Sequence, residues 1–279
     1  MTPLFSDTGR RRLDQIIQPG LLCVFDFDGT LAPIVADPDA ARLPAELLPK
    51  VLALQELVLV GILTGRSVDD VRRRVGFDAD YLIGNHGIEG MPGWEDRAQH
   101  YAAMCAQWKQ RLQEAMACGD VDGAGLLIED KRHSLSVHYR HAPNPDAAAH
   151  QLRQVFARLS PAPRIIAGKA VFNLLPEDAA DKGSALVQLM AITGASGAIY
   201  VGDDVTDEDA FRLRRPDLLS VRIEASPDSA ADFFLERCDD ISLLLDDIAA
   251  RLRSHGAAVS RHRGKTGELA ASISDPSAR

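Results

Sequence analysis

The chain has 279 residues, 46% hydrophobic and 25% charged, an ordinary composition for a globular protein with room for one large domain or two moderate ones. Its formal net charge is −9, which argues against nucleic acid and anionic membranes as partners, since both recruit basic patches. Cys23, Cys105, Cys118 and Cys238 form no C-x-x-C pair, no apolar run approaches the roughly 18 residues of a membrane helix, and no signal-like segment follows Arg10–Arg12, so a cytoplasmic protein with reduced thiols is expected.

Residues 1–20 read as a polar lead-in with a short helix near Leu13–Ile17. Leu21–Phe25 is an apolar run without alternation, the pattern of a parallel strand buried on both faces. It delivers Asp26 and Asp28, then Gly29 and Thr30. The carboxyl ends of central parallel strands are where open α/β sheets bind ligands. Two carboxylates two residues apart share a direction on a continuing strand, and an ionised carboxylate near a core needs a partner. A cation meets that need, and oxygen ligands suit Mg²⁺. A plain Asp-Gly turn is the bland alternative.

A loop over this site is expected from Ala32 to Leu43, then a helix from Pro44 to Leu57 with proline at its first turn. Val58–Leu63 reads as a second buried strand ending in Thr64, Gly65 and Arg66, with Ser67 as helix N-cap opposite Asp70. A hydroxyl and free backbone N–H groups at a helix start suit phosphate, although a simple β-to-α turn looks the same. Tyr81–Ile83 begins a third strand, ending in the turn Asn85-His86-Gly87.

After Gly87 the texture changes. Residues 91–94 read as a hinge, Tyr101–Ala117 as a helix, Leu126–Glu129 and Leu135–Arg140 as strands, Pro145–Leu159 as a helix, and Arg164–Ala167 and Ala170–Leu175 as two more strands. This α-β-β-α-β-β run implies an antiparallel sheet backed by helices, inserted into the first domain. Leu135, Val137 and Tyr139 share one face of their strand, and Ser134, Ser136, His138 and Arg140 the other. The second face is expected to be open, either solvated or turned toward the site, with Glu129, Lys131, Arg132 and the Gly168–Lys169 hairpin adding to it.

From Leu175 the first texture returns. A helix opened by Asp181 carries Lys182 at its start, against the helix dipole unless an anion lies close. Ala198–Val201 is a fourth buried strand, delivering Gly202, Asp203 and Asp204. Thr206 is expected to cap the next helix, with Asp207, Glu208 and Asp209 in its first turn. The carboxylates at the end of this strand complete an oxygen-rich Mg²⁺ site with Asp26. Leu219–Ile223 reads as a further strand, followed by helices around Pro227–Glu236 and Ile241–Ser254 and a tail, 255–279, expected to be disordered.

Asp26-Phe27-Asp28-Gly29-Thr30, Thr64-Gly65-Arg66, Lys182 and Gly202-Asp203-Asp204 stand in the order of the four motifs of the haloacid dehalogenase-like phosphohydrolases. The chain resembles that superfamily over roughly residues 20–250. A narrower resemblance, to the trehalose-6-phosphate phosphatase family, rests on the extended fourth motif Gly202–Phe211, on Asn85-His86-Gly87, and on Glu129-Asp130-Lys131 with His138-Tyr139-Arg140. It implies an α/β fold: a Rossmann-like parallel-sheet core over residues 1–91 and 176–254 with an inserted α+β cap over 92–175. It implies Asp26 as nucleophile, Asp28 as general acid and base, and Thr64 and Lys182 as partners of the phosphoryl oxygens. Mg²⁺ would be held by Asp26, Asp203 and the backbone carbonyl of Asp28, with Asp204 and Asp207 acting around them. Gly65, Arg66, Asn85 and His86, and in the cap Glu129, Lys131, His138, Arg140 and Asn173, would contact a small-molecule sugar phosphate, with the enzyme a monomer. The family usually has Glu where Asn173 stands, which leaves the exact sugar open. The alternatives are a phosphatase for sucrose phosphate or glucosylglycerol phosphate, a phosphosugar mutase, and a non-catalytic sensor that would have lost a carboxylate or Lys182; this chain keeps them all.

Overall fold

β2 (Leu21–Phe25) is buried along its whole length, and a parallel sheet grows outward from it on both sides. The computed structural model describes residues 1–35, 37–168 and 170–256; Lys169 and the tail from 257 onward lie outside the described residues. In chain order the elements before the insertion are β1 (Thr2–Pro3), α1 (Asp7–Ile16), β2, α2 (Leu48–Gln55), β3 (Leu59–Leu63), α3 (Val68–Val75) and β4 (Tyr81–Ile83). Then come α4 (Glu95–Ala117), β5 (Leu127–Asp130), β6 (Leu135–His138), α5 (Pro145–Phe156), β7 (Pro163–Gly168) and β8 (Val171–Pro176). The chain closes with α6 (Lys182–Thr193), β9 (Gly197–Gly202), α7 (Glu208–Phe211), β10 (Leu218–Ile223), β11 (Phe233–Leu235) and α8 (Ile241–Ser254).

Among the described residues seven strands form one sheet in the order β1-β11-β10-β9-β2-β3-β4, and every neighbouring pair is parallel. Alternation along β2 divides its side chains between two apolar layers. Cys23 and Phe25 join the layer of α1, α2, α3 and α8, while Leu22 and Val24 join that of α6 and α7. Burial on both faces is why these strands read as continuous apolar runs. From β2 the chain moves through β3 to β4 on one side, then returns as β9 on the other. The order reverses between β2 and β9, and such a switch point leaves a crevice at the carboxyl ends of the two strands. Phe25 lies in register with Val201, so Asp26 and the residues after Val201 meet at that crevice.

The insertion between β4 and α6 forms a second sheet, β5-β6-β8-β7, with every pair antiparallel. Leu135, Val137, Phe172 and Leu174 pack against Trp108 and Leu112 of α4 and Leu152 and Phe156 of α5. The architecture is an α/β core of Rossmann-like type with an α+β cap. Among the described residues no helix is long and apolar enough to cross a membrane.

Several elements depart from expectation. The helix anticipated around Pro227–Glu236 is instead β11, an alternating Phe-Phe-Leu strand that β10 and β1 sandwich. Pairing from both sides decides a segment too short for its own periodicity to do so. α2 begins at Leu48, not Pro44, with Pro49 at its first turn. α4 begins at Glu95, whose carboxylate and that of Asp96 favour a helix start. Thr206 caps no long helix: Asp204 opens a short 3-10 turn, Val205–Asp207, and α7 is a single turn. Ser136 is 2% exposed and not open, because it lies between Glu129 and Asn173 and donates to Asn173 Oδ1 at 2.6 Å.

Candidate active site

The crevice holds an ammonium among three carboxylates. Lys182 Nζ donates to Asp26 Oδ1 at 2.8 Å and to Asp207 Oδ1 at 2.7 Å, and its side chain is 2% exposed. Asp181 N-caps α6 through a capping box with Ser184, which fixes Lys182 at the first helical position. The anions that justify a lysine at a helix start are therefore Asp26 and Asp207. Burial alone would lower the lysine pKa, but the two carboxylates outweigh it and raise it. Burial holds Asp26 above the usual carboxylate range, against the pull of Lys182 and with the push of Asp207 and Asp203. Asp203 is pushed up to about 6 by burial, then by Asp207 and Asp204.

Asp207 is wholly buried, and both its oxygens are engaged. Oδ1 accepts from Lys182 and from Tyr200 Oη at 2.5 Å, while Oδ2 accepts the backbone N–H groups of Asp203 and Asp204 at 3.0 and 2.9 Å. One of its oxygens lies within 4.8 Å of an oxygen of each of Asp26 and Asp203, yet four donors already occupy its two oxygens, so it shapes the loop that carries Asp203. Asp204 is exposed at the cavity wall. The contribution of Tyr200 was not legible beforehand, because it sits inside an apolar strand and only the folded register points its hydroxyl at Asp207.

β3 delivers Thr64, which is buried and accepts from the Arg66 backbone N–H at 3.2 Å. The turn after β4 is tied to this loop: Asn85 N donates to Arg66 O and His86 N to Thr64 O. Asn85 and His86 hold left-handed φ angles of 48° and 59°, a strained arrangement of the kind found at functional sites. It swings the imidazole over Gly65, where a Cβ would lie 2.5 Å from His86 Cε1. His86 is pushed down to about 4 by burial and then by Lys182 and Lys131, and its buried Nδ1 meets no hydrogen-bond partner among the described residues. Asp28 turns to Arg66, whose Nε and Nη2 donate to its two oxygens at 2.6 and 2.7 Å.

The wall opposite comes from the cap. A cavity of about 890 Å³ lies between Asp26, Thr64 and Lys182 on the core side and, on the cap side, Glu129 of β5 with Lys131 and Arg132 of the β5–β6 turn. His138, Arg140 and Asn173 were expected here too, but lie outside its lining. The hairpin enters tip first, so His138, paired with Leu127 at the far end of β5, and Arg140 beyond it stand back from the core, while Asn173 is level with Glu129 but two strands away across the sheet. His138 instead holds Glu129, Nε2 to Oε2 at 3.0 Å, and Asn173 is occupied by Ser136. His133, which sequence reasoning passed over, is 2% exposed with Nδ1 3.3 Å from Asn85 Nδ2.

The Trehalose-phosphatase family matches this chain over residues 24–237. The chain belongs to that family. A trehalose-phosphate phosphatase of Mycobacterium tuberculosis is 31% identical over 273 residues, covering 88% of this chain and 69% of the relative. One from Mycobacterium avium is 36% identical over 197 residues, covering 67% and 49%. Among solved structures, trehalose-6-phosphate phosphatase of Aspergillus fumigatus superposes with a TM-score of 0.67 at 25% identity, covering 90% of this chain and 99% of that one. The sucrose-phosphatase of Synechocystis shares the fold, with a TM-score of 0.51 at 19% identity, covering 83% and 98%.

Membership in a family of phosphoric monoester hydrolases makes the donor set at Asp26 and Asp203 a test for a divalent cation. The residues fit one. Asp203 Oδ1 is buried without a hydrogen-bond partner among the described residues, and both carboxylates are destabilised as ions by burial and by neighbouring carboxylates, Asp207 and Asp203 for Asp26 and Asp207 and Asp204 for Asp203. Gly29, at φ +78°, brings bare backbone against the same group: a Cβ there would lie 2.1 Å from Asp203 Oδ2.

Proposed function

We propose that this protein hydrolyses trehalose 6-phosphate to trehalose and phosphate through an aspartyl-phosphate intermediate, with Mg²⁺ as cofactor. The observation that carries the proposal is Asp26, held between Lys182 and Asp203 at the switch point of the sheet in a chain of this family. Lys182 fixes Asp26 Oδ1 and so orients the carboxylate for in-line attack on phosphorus. The bond from phosphorus to the sugar oxygen breaks, its electron pair stays with that oxygen, and Asp28 supplies the proton. Asp28 then takes a proton from the water that attacks the aspartyl-phosphate, which restores Asp26 and frees phosphate. Thr64, Lys182 and the neutral imidazole of His86 surround the phosphoryl position and stabilise its charge. Mg²⁺, held by Asp26, Asp203 and the Asp28 backbone carbonyl, would offset the repulsion between nucleophile and phosphate.

The cap division 92–175 against 1–91 and 176–254, and a monomeric, cytoplasmic enzyme, belong to the same proposal. Glu129 and Lys131 of the hairpin read the sugar, and the cap excludes bulk water when it closes. A second reading, another sugar phosphate, is favoured by Asn173, which carries no charge and is already hydrogen-bonded to Ser136. Phosphate release from trehalose 6-phosphate beside a panel of sugar phosphates, with Mg²⁺ and with chelator, tests both. Strong Mg²⁺-dependent preference for trehalose 6-phosphate supports the first; preference for another sugar moves the substrate to the second. No release from any member, or retained turnover in Asp26→Asn, removes the mechanism.

A further inference from the structure

Asp28 has a geometry that conflicts with its proposed role. A proton donor needs an oxygen free to carry a proton to the leaving oxygen. Here both oxygens accept from one guanidinium, at 2.6 and 2.7 Å, and such a bidentate fork is among the strongest pairings a carboxylate makes. Arg66 is itself held firmly. Its Nη1 donates to Asp70 Oδ2 at 2.8 Å, and its guanidinium lies over the Phe27 ring. Asp70 accepts from Arg74 at 2.7 and 2.9 Å, and the buried Arg74 reaches Asp39 Oδ1 at 2.9 Å. Charges alternate along this row, from Asp28 at the crevice to Asp39 in the loop over it.

The fork that fits a carboxylate also fits a phosphate. Arg66 lines the cavity together with Asp26, Thr64 and Lys182, so an arriving phosphate ester brings a second anion within its reach. We propose that Arg66 is a positioning residue that holds Asp28 off the reacting oxygen in the free enzyme and releases it when the phosphate takes the fork. This rests on the phosphatase reading above. The released Asp28 side chain is free to reach the ester oxygen and hand it the proton of the proposed mechanism as that oxygen leaves phosphorus with the bonding pair. An enzyme without substrate keeps its acid locked, and binding arms it.

A double-mutant cycle on phosphate affinity tests the latch. Inorganic phosphate is titrated by calorimetry, with Mg²⁺ present, into the full chain as wild type, Asp28→Asn, Arg66→Gln and the double variant. Asp28→Asn should bind phosphate about 5-fold tighter or more, because the fork has lost its internal competitor, and the gain should vanish in the Arg66→Gln background. An affinity in Asp28→Asn no higher than wild type overturns the latch. So does the same gain with and without Arg66, which would report only the repulsion removed with one carboxylate. If Arg66→Gln does not fold, Arg66→Lys serves: it keeps the charge and loses the fork, so most of the gain should disappear, and an undiminished gain overturns the latch. Wild-type turnover of the sugar-phosphate panel on the same preparation separates the two levels. Turnover with a flat cycle removes the latch alone, and no turnover with no phosphate binding removes the phosphatase reading with it.

Discussion

His133 of the cap hairpin and Asn85 of the turn after β4 meet inside the protein, Nδ1 to Nδ2 at 3.3 Å. Asn85 Nδ2 also donates to Glu89 Oε2 at 2.8 Å, so this nitrogen is the amide donor and His133 Nδ1 must accept. Burial lowers the His133 pKa, which favours the neutral ring, and the Asn85 donor selects the tautomer with its proton on Nε2. His133→Ala should leave the core intact but loosen the hairpin that presents Glu129 and Lys131. The expected result is a several-fold rise in KM for the sugar phosphate, with faster amide exchange over residues 127–138. Unchanged exchange there would show that the contact does not hold the cap.

Asp203 gives a test of the metal site that needs no turnover. Its pKa is pushed up to about 6 from 3.8, so the native state binds more protons than the unfolded chain between those values, and stability falls as pH rises through that window. Asp203→Asn should therefore stabilise the metal-free protein by roughly 1–3 kcal/mol at pH 7.5, and not below about pH 3.8. On the proposed Mg²⁺ site, wild type should gain Tm when Mg²⁺ is added, and the same variant should lose that gain. A variant that melts lower than wild type in chelator would contradict this account of Asp203.

Lys182 is the counter-charge for two buried carboxylates. Lys182→Met should cost about 3–5 kcal/mol, because Asp26 and Asp207 are left buried and unpaired. Adding Asp207→Asn should return part of that loss. Urea unfolding of the two variants checks the sign, and equal midpoints would separate Asp207 from the pair.

Asp70 binds Arg66 and Arg74 at once. Burial alone would raise its pKa, but the bonds from Arg74 and Arg66 hold it down at about 2, against 3.8 when unfolded. The unfolded chain thus takes up the proton first, and the stabilisation is present above 3.8 and lost as pH falls through about 2. Asp70→Asn should cost roughly 2 kcal/mol at pH 7, and its deficit should shrink as pH drops below that of the unfolded carboxyl. A deficit constant with pH in equilibrium unfolding would assign the loss to something other than charge.

The sequence by itself determined the strands that build the crevice and the motifs they deliver. Leu21–Phe25, Val60–Leu63 and Gly197–Gly202 are buried on both faces, so their apolar runs are local and visible, and Asp26, Thr64 and Asp203 follow directly from where those runs stop. The inserted cap was legible for the same reason, since Leu135 and Val137 alternate with polar neighbours. Only the tertiary structure decided what those side chains touch. β11 is a strand because β10 and β1 flank it, not because its three residues say so. Asp28 faces Arg66, Asn173 faces Ser136, and Lys182 closes off Asp207 through pairings that join residues distant in the chain, while Tyr200 reaches Asp207 from the strand just before it. Periodicity reports which face of an element is buried. Which buried polar group finds which partner depends on strand order and register, and these are properties of the assembled sheet.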